Sequence, residues 1–210
     1  MKRLCILVSG KARGTNMAAI IEACQRGEIP ASEVALVIGT REDAPALQRA
    51  QERGVPTCVI DPKAFPSDEA YGEALLKVLG EVQPELICLA GYVRLLPANV
   101  VRAYRYRILN IHPALLPLFG GKGMYGLRVH EAVLQSGMKV TGCTVHFVDE
   151  QYDTGPIVLQ SVIEVRDDDT PETLAARLLP VEHATYIRAI RLFMEGRLKI
   201  EGNRVRVDGG

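Results

Sequence analysis

Two side chains in the middle of the chain, the amide of Asn110 and the imidazole of His112, are separated by one residue in the run Asn110-Ile111-His112-Pro113. Alternate residues of an extended strand share a face, so both point to the same side, and Pro113 stops the strand directly after them. An amide donor beside a titratable ring suits chemistry in which an oxygen gains negative charge and a proton changes hands. Taken alone, His112 reads more plainly as a satisfied structural histidine and Asn110 as a turn residue. Asp153, in Tyr152-Asp153-Thr154-Gly155-Pro156, has the surroundings of a turn-forming aspartate and the carboxylate of a proton carrier. His146 lies on a neighbouring strand and faces either way; His130 and His183 fall in helical stretches and read as structural.

A second group of residues suits anion binding. Ser9-Gly10-Lys11-Ala12-Arg13-Gly14-Thr15-Asn16 follows an apolar run and opens a helical one, so its backbone N–H groups are placed to hold a phosphate, with Lys11 and Arg13 adding charge. The spacing is neither GxGxxG nor GxxxxGK[ST], which disfavours a dinucleotide or a nucleoside triphosphate. An ordinary flexible turn is the alternative.

The elements that must position these residues alternate strand and helix. Leu4 to Val8 reads as strand, Asn16 to Arg26 as helix, Val34 to Ile38 as strand, Ala44 to Arg53 as helix with Pro45 in its first turn, and Val55 to Ile60 as strand. Ser67 is the expected N-cap of a helix to about Val82, followed by a strand at Leu86 to Ala90, a short helix at Ala98 to Tyr104 and a strand at Ile108 to His112. Beyond a Gly-rich loop come a helix at Leu127 to Gln135 and two strands, Val140 to Val148 and Ile157 to Val165, expected to pair antiparallel. Thr170 and Pro171 start a last helix to about Glu195, and Leu198 to Val207 reads as a terminal hairpin around Gly202-Asn203. The alternation predicts an α/β fold: a mostly parallel sheet of about seven strands, helices on both faces and an antiparallel C-terminal part. In such a sheet ligands bind beyond the carboxyl ends of the strands, where the unusual residues lie.

Bulk properties narrow the function. The 210 residues suit one domain, 1–210, with halves at about 1–100 and about 101–210. Acidic and basic side chains balance at 25 each, so the basic surplus of a nucleic-acid binder is missing and a small-molecule partner is expected. The five cysteines are scattered in apolar runs without CxxC or zinc spacing, which predicts buried thiols, no metal and a reducing compartment. The apolar run after Met1-Lys2-Arg3 is too short for a signal peptide or a membrane span, so a cytoplasmic protein without membrane contact is expected.

Asn110-Ile111-His112-Pro113-Ala114-Leu115-Leu116-Pro117 closely resembles the NIHPSLLP signature of the folate-dependent formyltransferases. Leu89-Ala90-Gly91-Tyr92-Val93-Arg94-Leu95-Leu96, Thr144-Val145-His146-Phe147-Val148 and Asp153-Thr154-Gly155-Pro156-Ile157 join it in the family's order. The phosphate loop is similar to the SGxGSN loop of the members that formylate glycinamide ribonucleotide, and the likeness covers nearly the whole chain. It implies a Rossmann-like formyltransferase fold, with 10-formyl-tetrahydrofolate as co-substrate, glycinamide ribonucleotide as acceptor and a monomer or homodimer. Asn110, His112 and Asp153 would be the catalytic trio, with His146 a possible secondary member. Gly14, Thr15 and Asn16 would bind the substrate phosphate; Gly91, Ile111, Pro113 and Glu182 the rest of that substrate; and Val93, Arg94, Leu95, Leu96 and Asn110 the folate. The trio suits direct amine attack on a formyl carbon, since N–H groups of Asn110 and His112 can meet the developing oxyanion, one such donor contributing about 3 kcal/mol. A carboxylate at Asp153 is expected to favour the protonated ring and raise the His112 pKa.

Three departures from the family pattern stand out. The phosphate loop is longer by about two residues, so Lys11 and Arg13 either add contacts or sit in solvent. Asp68 stands where many members carry a folate-contacting arginine, which weakens or relocates recognition of the anionic tail. Gly120 to Gly126 is longer and richer in glycine than the usual turn and is expected to be a mobile lid. The alternatives are a 10-formyl-tetrahydrofolate hydrolase, a methionyl-tRNA formyltransferase and a non-catalytic folate or nucleotide sensor. Chain length, neutral charge and the intact trio respectively speak against them.

Overall fold

The computed structural model describes residues 1–209. By their contacts they form two compact units, one ending at Leu109 and the other starting at Asn110.

The first unit is built from β1 (Lys2–Leu7), α1 (Thr15–Gln25), β2 (Ser32–Gly39), α2 (Pro45–Glu52), β3 (Thr57–Val59), α3 (Asp68–Val82), β4 (Leu86–Leu89) and α4 (Ala98–Ala103). Its strands lie in the order β3-β2-β1-β4 and all three pairings are parallel. The continuous apolar runs of β1 and β4 follow from this, because a parallel strand covered on both faces has no polar side to present. Helix starts obey local chemistry: the Ser67 hydroxyl accepts from Ala70 N at 3.1 Å, and Pro45 opens α2 with a φ already helical. The chain runs outward from β1 to β2 and β3, then returns to β1's other side as β4. That reversal makes the carboxyl end of β1 a topological switch point, where ligand sites form in open α/β sheets.

β5 (Ile108–His112) carries the chain into the second unit, which continues with α5 (Leu127–Ser136), β6 (Val140–Phe147), β7 (Ile157–Glu164), α6 (Pro171–Met194), β8 (Leu198–Glu201) and β9 (Arg204–Val207). The order here is β5-β6-β7-β9-β8, with β6 and β7 antiparallel as their patterns imply. α6 begins at a reciprocal capping box between Thr170 and Thr173 and packs on α5, β6 and β7 through Leu174, Leu178, Tyr186 and Ile190. Among the described residues the strands number nine rather than about seven, because β9 of the terminal hairpin joins β7 at Ile157 and Arg204. A hairpin's own turn chemistry says nothing about which distant strand its edge will meet. Among the described residues no helix is long and apolar enough to cross a membrane.

Candidate active site

Asn110, His112, His146 and Asp153 meet in the second unit. β5 presents Asn110 half-buried and His112 buried at its carboxyl end. β6 brings His146 through a register irregularity between Val145 and His146, the kind of local shift that re-aims a side chain. His146 Nδ1 faces the Phe147 carbonyl at 2.9 Å and must carry a hydrogen there. In the neutral ring Nε2 is therefore the acceptor, and it meets the Asn110 side-chain nitrogen at 3.2 Å. One amide hydrogen of Asn110 is spent on His146, which leaves the second for a substrate oxygen. The sequence left the direction of His146 open; it points into this group.

Asp153 sits with a left-handed backbone (φ 56°), a conformation that aspartate tolerates better than most residues. Its Oδ1 lies 3.7 Å from His112 Nδ1 and 3.6 Å from His146 Nε2, and its Oδ2 accepts from Gly121 N at 3.0 Å. His112 Nε2 is 2.8 Å from the Phe119 carbonyl, so that nitrogen carries a hydrogen and Nδ1 faces the carboxylate. Two backbone groups of the 118–121 loop thus hold the pair, and residue-type reasoning missed both, since main-chain atoms carry no side-chain signature. The available signal was Gly120-Gly121. A Cβ on Gly120 would approach Leu116 Cδ2 to 2.7 Å and Asp153 Cβ to 3.2 Å, so a side chain there would have to displace Leu116 and press on Asp153.

Burial decides the electrostatics of His112. It penalises the charged ring and holds the pKa below its ordinary value, although Asp153 and the Phe119 carbonyl both pull upward. Asp153 does pull the His112 pKa upward, as expected, but the carboxylate offsets only part of the desolvation, because the ring is almost fully enclosed, and the net shift is downward. Burial also pushes the Asp153 carboxyl up, but His146 when its ring carries both hydrogens, the charge of His112 and the Gly121 N–H outweigh it, and its pKa lies below the ordinary carboxylate value. The pair is thus set as a neutral imidazole beside an ionised carboxylate. His130, on α5, is buried with its Nδ1 unpartnered; burial lowers its pKa, and the charge of His112 lowers it further.

In the first unit the β1 switch point is closed by Ser9. Its hydroxyl donates to the Gly91 carbonyl at 3.2 Å and accepts from Val93 N at 2.9 Å, tying the β1 and β4 ends together. Val93 and Leu95 leave apolar side chains 43 % and 42 % exposed, Leu96 is buried, and the Arg94 guanidinium lies 5.9 Å from the Tyr71 ring centre. Gly14 caps α1 in the left-handed region (φ 78°), and a Cβ there would come within 2.7 Å of Ala46 Cβ. Thr15 and Asn16 therefore open the helix with their N–H groups at its positive end. Lys11 reaches Asp43 at 3.8 Å while two-thirds exposed. An open cavity of about 670 Å³ lies beside these strand ends, lined by Ser9, Gly10, Thr40, Lys63, Val93 and Arg94 among others.

The remaining residues named from the sequence fall in two places. Gly91 is exposed at the end of β4, whereas Ile111 and Pro113 flank His112 in the second unit, buried and half-buried respectively. Glu182 is buried on α6, where its charge adds to the burial that pushes the Cys143 thiol up. Among the described residues no group of three or more His, Cys, Asp or Glu is placed to hold a metal ion.

Residues 2–190 match the formyl transferase family, and the chain belongs to it. It is 44 % identical over 200 residues to the chloroplastic phosphoribosylglycinamide formyltransferase of Arabidopsis thaliana, an alignment covering 94 % of this chain and 67 % of that one. It is 37 % identical over 206 residues to the phosphoribosylglycinamide formyltransferase of Escherichia coli, covering 98 % and 93 % of the two chains. Its fold superposes on the crystal structure of glycinamide ribonucleotide transformylase 1 from Symbiobacterium toebii with a TM-score of 0.91 at 48 % identity, covering 99 % of this chain and 94 % of that one.

Proposed function

We propose that this protein transfers the formyl group of 10-formyl-tetrahydrofolate to the amine of glycinamide ribonucleotide, a step of purine biosynthesis. The observation that carries the reading is the convergence of Asn110, His112, His146 and Asp153, in which the second Asn110 amide hydrogen and the His112 Nε2 hydrogen, the latter resting on the Phe119 carbonyl, can turn to a single oxygen.

The amine nitrogen forms a bond to the formyl carbon, and the carbonyl electron pair moves onto oxygen. Asn110 donates its second amide hydrogen to that oxygen, and the His112 Nε2 hydrogen, held by Phe119 O at 2.8 Å, is taken over by it. The attacking amine becomes acidic as it bonds. Asp153, ionised and anchored by Gly121, accepts its proton through Oδ1 and returns it, directly or through water, to N10 of the folate as the carbon–N10 bond breaks. His146 holds the Asn110 amide in the productive orientation. Gly14, Thr15 and Asn16 take the substrate phosphate, Gly91, Ile111, Pro113 and Glu182 its remaining portion, and Val93 to Leu96 the pterin, for which the exposed Val93 and Leu95 offer apolar contact.

The test is to mix the protein with 10-formyl-tetrahydrofolate, with and without glycinamide ribonucleotide, and follow deformylated folate by absorbance. Release that requires the amine is expected. Release without it would replace this reading with a hydrolase, and no release in either case would favour a non-catalytic binder.

A further inference from the structure

We infer that Thr144 is a positioning residue for this reaction: its hydroxyl anchors the 114–116 segment, and through it the loop whose backbone holds His112 and Asp153. The inference rests on the trio being the reacting group. Thr144 is fully buried on β6, two residues before His146. Its Oγ1 donates to the Ala114 carbonyl at 2.7 Å and accepts from Leu116 N at 3.1 Å, gripping the segment from both sides. Gln160, its cross-strand partner on β7, donates to the same hydroxyl at 3.1 Å and to the Leu116 carbonyl at 2.9 Å. A hydroxyl has one donor and two acceptor sites, and all are used, so the hydrogen-bond pattern admits one placement of the segment.

That placement reaches the trio within a few residues. The Leu115 carbonyl accepts from Leu118 N at 3.1 Å, which leads the chain into Phe119 with a left-handed backbone (φ 56°). A non-glycine residue in that region persists only where its surroundings fix it. Phe119 then presents its carbonyl to His112 and Gly121 its N–H to Asp153. Gly120 leaves no room for a side chain against Leu116, so the loop is seated directly on the segment that Thr144 anchors. No residue between Pro113 and Gly121 offers its own side chain to the chemistry, so the strain and the close contact need an external anchor. Thr144 supplies it from β6, the strand that also carries His146.

The experiment compares Thr144→Val and Thr144→Ser with wild type in steady-state kinetics, thermal unfolding and backbone amide exchange. Valine keeps the shape and removes three hydrogen bonds; serine keeps the hydroxyl. For Thr144→Val, kcat is expected to fall about 10- to 100-fold, the range for a displacement of roughly 1 Å, with little change in either KM. The protein stays folded at assay temperature, and exchange at Gly121 accelerates. Thr144→Ser is expected to restore kcat to within about threefold of wild type, since the anchoring oxygen is retained. The inference is overturned if Thr144→Val keeps wild-type kcat, if Gly121 exchange is unmoved, if serine is as impaired as valine, or if lost activity merely tracks unfolded protein. His112→Ala is assayed alongside. Full activity of that variant removes the trio and this inference together, whereas an inactive His112→Ala with a normal Thr144→Val removes this inference alone.

Discussion

Replacing Asp153 with asparagine separates the charge of the carboxylate from its place in the structure. Asparagine keeps an oxygen for the Gly121 N–H, now 3.0 Å from Asp153 Oδ2, so the 118–121 loop retains its contact. What disappears is the proton acceptor and the negative charge 3.7 Å from His112 Nδ1. General acid–base assistance contributes roughly 10²- to 10⁴-fold, and since Oδ2 is occupied by Gly121, the whole contribution passes through Oδ1. We expect kcat to fall by about 10³-fold, the middle of that range. The pH profile carries the sharper test. Burial holds the His112 pKa down and the Asp153 charge is the largest influence pulling it up, so its removal lets the pKa fall further. In the wild type a protonated His112 would pair with Asp153 and stop it from accepting the amine proton, which places an acid limb at the His112 pKa. In Asp153→Asn there is no carboxylate for a protonated ring to block and the His112 pKa is lower still, so the acid limb of kcat/KM, which reports the free enzyme, disappears from its wild-type place. Measuring kcat/KM for both proteins across the acid range by folate absorbance decides it. A limb that stays in place or moves to higher pH would refute the coupling of these two groups.

Asn110→Ala removes one of the two oxyanion donors and is expected to lower kcat by about 10²- to 10³-fold with KM for the amine nearly unchanged, read from saturation curves. Gly14→Ala puts a Cβ against Ala46 in a left-handed position, so the α1 start is displaced; KM for the phosphorylated substrate should rise well above any change in kcat. Stability should fall on acidification in two stages, seen as the thermal midpoint against pH. His112 has a folded pKa below its ordinary 6.5, so the unfolded chain binds its proton first, and stability declines as pH drops through 6.5 towards the lower folded value. Asp153 likewise has a folded pKa below 3.8, so its contribution is complete above 3.8 and is lost as pH falls through the folded value. A midpoint that holds steady between pH 7 and 5 would contradict the first stage.

Much of the fold was legible because its signals are local. β5 begins at Ile108 and ends at His112, as its apolar run and Pro113 imply, and α3 starts at the Ser67 cap because that hydroxyl needs only a neighbour three residues on. The pairing of β6 with β7 followed from two adjacent strand patterns and a short connection. Gly14 was identifiable as the glycine that leads into α1 because the loop opens a helix, and the structure adds the close approach to Ala46 that excludes a larger side chain there.

Quantities that depend on residues far apart in the chain were decided only by the tertiary structure. Whether Asp153 or burial governs His112 is a balance between a contact at 3.7 Å and the enclosure of the ring, and no motif encodes enclosure. The direction of His146 turns on a one-residue irregularity in a strand buried along nearly its whole length, where alternation cannot tell one face from the other. The Phe119 carbonyl, the Gly121 N–H and the Thr144 anchor work through backbone atoms and long-range hydrogen bonds. Amino-acid types and spacing thus nominated the groups of the candidate site, and packing determined their charge, their orientation and what holds them, because desolvation and hydrogen-bond geometry exist only once the chain has folded.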